Sequence, residues 1–147
     1  MPEPITRVLP VLPVLEIIGR CTLASLFLLG GIAKIAVPET YHAMMNEAGP
    51  VPSGPILTGV IVLELAGGLA IAAGWRSGGW LALVLVVHTL LINVLLHRFW
   101  ELDGRIGQLE LSAFFKNVAI AGGLLHYAAT RLARPPTGCP AAPAAPR

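Results

Sequence analysis

Residues 55–74 read PILTGVIVLELAGGLAIAAG, twenty residues with one charged side chain, Glu64, and no alternation of apolar and polar positions. A helix rises ~1.5 Å per residue, so a run of this length covers the ~30 Å of bilayer hydrocarbon. A strand reading fails, because every backbone amide in hydrocarbon must be paired within its own segment or in a closed barrel, and barrel strands alternate. The run is expected to be a transmembrane helix. Three further stretches, about 14–37, 79–97 and 111–130, carry the same signature.

The composition agrees with that reading. Of 147 residues 55% are hydrophobic and 12% charged, far from the balance of soluble domains. The net charge of +2 is small and its basic residues are scattered, which excludes a nucleic-acid partner and leaves the lipid bilayer as the expected environment. Cys21 and Cys139 have no CxxC or Cys/His spacing around them, so neither a disulfide nor a zinc framework is expected. The first apolar run has no basic cluster before it and no small-residue cleavage pattern after it, and should remain as an anchor.

Punctuation divides the runs. Pro38 closes the first, Gly49-Pro50-Val51-Pro52-Ser53-Gly54-Pro55 precedes the second, and Trp75-Arg76-Ser77-Gly78 is a tight turn that makes the second and third antiparallel neighbours. Residues 98–110 form a polar connection with Glu101, Asp103, Arg105 and Glu110, and the Pro/Ala-rich residues 133–147 are expected to be a disordered tail. The fold class is therefore all-α, an integral membrane four-helix bundle over residues 1–132. Arg7, Arg76, Arg131 and Arg134 lie on the side of the termini with few acids, which points to an N-in/C-in topology. Trp75, Trp80, Phe99 and Trp100 stand where interfacial aromatic belts form.

A charge in hydrocarbon costs ~2.5–3.5 kcal/mol or more, so the polar residues inside the runs need partners. Arg20 and Lys34 lie within ~40° of one helical face but ~21 Å apart, one near each membrane surface. Both can snorkel to headgroups, and Arg20 can pair with Glu16 at i,i+4. Glu64 cannot snorkel, being ~12 Å below the outer end of its helix. It is either protonated or paired with a lysine, and Lys34 and Lys116 both lie toward that outer half. Gly67-Gly68 and Gly122-Gly123 provide small surfaces for close helix packing or for a groove that admits a flat ring. Asn93 and His97 fall at i,i+4, with Glu101 a turn further if the helix continues, whereas His88 points the other way and is expected to make an interhelical hydrogen bond.

A haem between His88 and His126 is disfavoured, because the two lie ~14 and ~6 Å from the inner surface and would reach opposite edges of a macrocycle. No metal is expected. Hydrolase triads, paired carboxylates and phosphate-cradling glycine loops are absent from the sequence.

The chain resembles the DoxX family of small four-helix bacterial membrane proteins, related to the small subunit of a thiosulfate:quinone oxidoreductase. The likeness is carried by Arg20 with residues 26–34 (LFLLGGIAK), by residues 64–68 (ELAGG) with Gly74, by His97 with Phe99-Trp100, and by residues 114–125 (FFKNVAIAGGLL). It covers roughly residues 15–130. The resemblance implies a multi-pass protein of the bacterial cell (inner) membrane, working near the quinone pool with a soluble or membrane redox partner.

Two functions are consistent with these residues. In the first, the protein is a quinone-linked component of a membrane oxidoreductase system, and Lys34, Glu64, His97, Lys116 and Asn117 line the quinone site. Quinone carbonyls accept hydrogen bonds and take up protons on reduction, which suits Lys, His and Asn donors beside a carboxylate. In the second, the same charges hold together a non-catalytic scaffold, an assembly factor or a carrier of a small lipophilic substrate. The sequence leaves enzymatic activity and oligomeric state open, a homo-oligomer included.

Overall fold

The computed structural model describes residues 11–49 and 52–134. Arg7, Cys139 and the expected disorder of the tail beyond Arg134 lie outside the described residues. The described chain folds as α1 (Val11–Ala36), α2 (Pro38–Ala48), α3 (Ser53–Ala73), α4 (Ser77–Leu96), a 3-10 turn (Phe99–Glu101) and α5 (Gly104–Ala133).

Local chemistry sets these boundaries. A residue before proline is pushed out of the helical region, and Val37, at φ −135° and ψ 62°, separates α1 from α2. Pro38 then opens α2, where its missing N–H costs nothing, and Glu39 sits favourably in the first turn. Gly74 ends α3 in the left-handed region at φ 68°, its N–H reaching the carbonyls of Ala70 and Ile71.

One of the expected boundaries shifts. The polar connection shrinks, because α5 begins at Gly104 rather than near residue 111 and the 3-10 turn fills much of the remainder. An apolar run marks only the lipid-immersed part of a helix, and a helix can continue into the polar interface. Residues 38–48, between the first and second apolar runs, form α2.

Helix α1 packs along α3 and α4 along α5, while α3 against α4 joins the two pairs. Glycines allow the close approaches: a Cβ on Gly31 would lie 2.8 Å from Leu65, one on Gly68 2.9 Å from Leu28, and one on Gly67 2.7 Å from Leu85. Gly122, by contrast, has nothing within 4 Å of its Cβ position. The core is small, drawn from Ala24, Phe27, Ile71, Ala82, Leu85, Ala121 and Leu124 among others.

The outer surface is the more apolar part. Leu29, Val62 and Val87 are 65%, 60% and 66% exposed within a broad belt of exposed aliphatic side chains. A soluble monomer does not carry such a belt, whereas acyl chains solvate it at no cost. Among the described residues, Val11–Ala36, Ser53–Ala73 and Ser77–Glu101 are long and apolar enough to cross a bilayer. The remaining long helix, α5, has 30 residues and carries Arg105, Glu110, Lys116 and Arg131.

The i,i+4 pair expected between Glu16 and Arg20 does not form. Glu16 instead reaches α5, meeting Arg134 Nη2 at 2.7 Å and Arg131 Nη1 at 3.5 Å, and so ties α1 to α5. At the opposite end Phe99, Trp100 and Phe114 stack edge to face, with centroids 5.2 to 6.3 Å apart, and seat the 3-10 turn on α5.

Candidate functional site

Glu64 is 6% exposed near the middle of α3, and Lys34 from α1 comes to it. The Lys34 Nζ stands 2.9 Å from Oε2 and 3.0 Å from Oε1, with the Gly30 carbonyl at 3.4 Å. The ammonium thus has three acceptors. The Tyr41 ring of α2 adds its face, 5.0 Å from Nζ to the centroid. From α4, His88 Nε2 lies 3.4 Å from Glu64 Oε1. Of the two lysines considered for Glu64, the partner is Lys34. Gly30 makes room for the pair, since a Cβ there would lie 3.3 Å from Oε2.

The cluster forms one wall of a cavity of about 580 Å³ between α1, α2, α3 and α4. Its other polar lining groups are Tyr41, Thr89 and Asn117, and the rest is aliphatic, aromatic or methionine, including Phe27, Met44, Leu57, Val60 and Leu95. That volume and lining fall in the range of sites for compact, mainly apolar ligands oriented by a few polar groups.

Of the residues expected to line one site, Lys34, Glu64 and Asn117 border this cavity. His97 does not. Helix α4 stops at Leu96, His97 turns out at φ −101° and ψ 60°, and its Nδ1 meets Glu110 Oε2 at 2.7 Å, so no Asn93–His97–Glu101 stripe forms. Lys116 is exposed on α5: neighbouring helical residues point ~100° apart, and Asn117 takes the inward direction. His126 is exposed too, away from His88. Among the described residues no group of three His, Cys, Asp or Glu side chains could hold a metal ion.

Tyr41 and Met44 escaped the sequence reading because α2 is short and polar. The regular spacing of Tyr41, Met44 and Met45 at one turn was the signal that could have placed them on one helical face.

A second polar contact joins α4 to α5. Asn93, 1% exposed, donates from Nδ2 to the Phe114 carbonyl at 3.1 Å and accepts from Asn117 Nδ2 at 3.0 Å. Asn93→Leu leaves an amide and a carbonyl unpaired in an apolar interior, and is expected to cost about 1–3 kcal/mol. Detergent melting compared with wild type measures it; an unchanged midpoint would show that this contact is dispensable.

The family model described as DoxX matches residues 15–98, from α1 to the end of α4. The chain is also similar to the inner membrane protein YphA of Escherichia coli (strain K12), 29% identical over 119 residues, which are 80% of this chain and 84% of that protein. No solved structure matches the chain significantly.

Proposed function

The chain belongs to the DoxX family of membrane proteins, and from that membership and its cavity we propose that it is a quinone-linked component of a membrane oxidoreductase system. It is a multi-pass protein, and we place it in the inner membrane, the location stated in the name of its Escherichia coli relative. Helix α5 serves as a fourth span over roughly residues 111–130. The start of α1 and the end of α5 face the cytoplasm, the side on which Arg76, Arg131 and Arg134 collect.

The observation that carries this reading is the union of an apolar cavity of about 580 Å³ with a buried Lys34–Glu64–His88 cluster on its wall. An apolar site accepts an isoprenoid-bearing ring, and a carboxylate with an imidazole and an ammonium each in contact with it can exchange protons with the ring. His88, the Tyr41 hydroxyl and the Asn117 amide offer donors for carbonyl oxygens, while Lys34 fixes the Glu64 carboxylate in place. A bound quinone would supply two-electron, two-proton chemistry, and a redox partner protein the electrons.

One observation favours the scaffold, assembly-factor or lipophilic-carrier reading. Lys34 already has three acceptors, as a purely structural tie between α1 and α3 would require.

Organic extraction and mass spectrometry of the detergent-purified protein separate the two. Val60→Trp projects an indole into the cavity and obstructs it without touching the ion pair. Near-stoichiometric quinone is expected from wild type and from Lys116→Ala, and loss of it from Val60→Trp. Bulk phospholipid alone in all three preparations would remove the quinone reading and leave the scaffold.

A further inference from the structure

At the end of the bundle opposite the cavity, four arginines, Arg20, Arg76, Arg131 and Arg134, gather with one carboxylate, Glu16, paired to two of them. Glu16 is shared by Arg131 and Arg134, and Arg76 Nη1 donates to the Arg134 carbonyl. Arg20 makes no hydrogen bond or ion pair with any described residue, and the Nε atoms of Arg20 and Arg131 are both buried without a partner. The two groups also converge. A Cβ built on Gly74 would collide with Arg20 Nη1 and lie 2.7 Å from Arg131 Nη2, so both guanidinium groups gather over the last turn of α3.

Glu16 and the carbonyl end of α3, the negative end of a helix dipole worth about half a charge, offset part of this charge. They cannot balance two converging cations with unpaired donors. Guanidinium forks match the oxygens of a phosphate, and charge-assisted pairs of this kind are the stronger hydrogen bonds. Trp75 and Trp80 are exposed beside Arg76 and Gly79, where aromatic side chains mark the headgroup layer.

We propose that this end of the protein binds an anionic phosphate group between Arg20 and Arg131, flanked by Arg76 and Arg134. The group is carried either by an anionic phospholipid of the surrounding leaflet or by a soluble phosphate.

The test follows thermal unfolding of the full chain in neutral detergent while phosphatidylglycerol, phosphatidylcholine or inorganic phosphate is added. Arg20→Gln and Arg131→Gln are compared with Arg98→Gln, whose side chain pairs with Glu101 at the other end. Phosphatidylglycerol is expected to raise Tm saturably in wild type and Arg98→Gln. In the other two variants the half-maximal shift should need roughly tenfold more lipid, as loss of one charge-assisted pair implies. A matching rise with inorganic phosphate would show that the phosphate group suffices, whereas a rise with phosphatidylglycerol alone would assign the source to lipid. Equal shifts from phosphatidylcholine and phosphatidylglycerol, or unchanged titrations in both arginine variants, would overturn the site. If neither variant folds, native mass spectrometry of wild type decides. A one-to-one phosphatidylglycerol adduct that outlasts the phosphatidylcholine adduct supports the site, and equal retention of the two refutes it.

Discussion

Glu64→Gln is expected to lower the stability of the detergent-solubilised protein by about 3–5 kcal/mol. The amide keeps the shape of the side chain and removes its charge, leaving the Lys34 ammonium with 13% of its side chain exposed. The loss is the cost of an orphaned buried cation rather than the net worth of the pair. The double variant Lys34→Met, Glu64→Leu removes both charges, and should recover most of what either single change loses. Melting midpoints of wild type, Lys34→Met, Glu64→Leu and the double variant form the cycle. If Glu64→Gln melts with wild type, Lys34 and Glu64 are not an ion pair.

Gly68→Leu should also be damaging, for a reason of space. Its Cβ would stand 2.9 Å from the Leu28 side chain and 3.3 Å from the Ala24 carbonyl oxygen, and the latter is backbone that cannot rotate away. Helix α1 must move outward, which costs about 1–3 kcal/mol as overpacking and disturbs the Lys34–Glu64 contact one turn along. Gly122→Leu is the control. Its Cβ meets nothing within 4 Å, so the ~1 kcal/mol gain in helix propensity is expected to appear as a small stabilisation. Equal effects at the two positions would show that α1 and α3 are not held at glycine distance.

These contrasts mark what could be read from the chain alone. Long apolar runs announce α1, α3 and α4, because hydrocarbon demands length and apolarity together. Helix α2 gives no such signal: PETYHAMMNEA is short and polar, and it is defined by Pro38 at its start and by its docking on α1 and α3. The start of α5 is obscured in the same way by the polar residues 104–110.

For the site, depth was enough to single out Glu64, since a carboxylate that far from the surface needs a partner. It was not enough to choose the partner, which depends on the helix pairing that brings α1 rather than α5 beside α3. Lys116 and Asn117 show the limit of reading composition without phase: of these two neighbours on α5 only Asn117 borders the cavity, while Lys116 is exposed. His97 shows the same for helix ends, because a stop at Leu96 redirects its ring to Glu110.

The most direct measurement of the cavity's role is photolabelling of the purified protein with a short-tailed azido-quinone, followed by peptide mapping with and without excess unlabelled quinone. Competed label is expected in residues 41–45 of α2 and 91–96 of α4, which border the cavity, with none at the exposed face around Lys116. Label spread over the lipid-facing belt, and not displaced by competitor, would contradict a quinone site in this bundle.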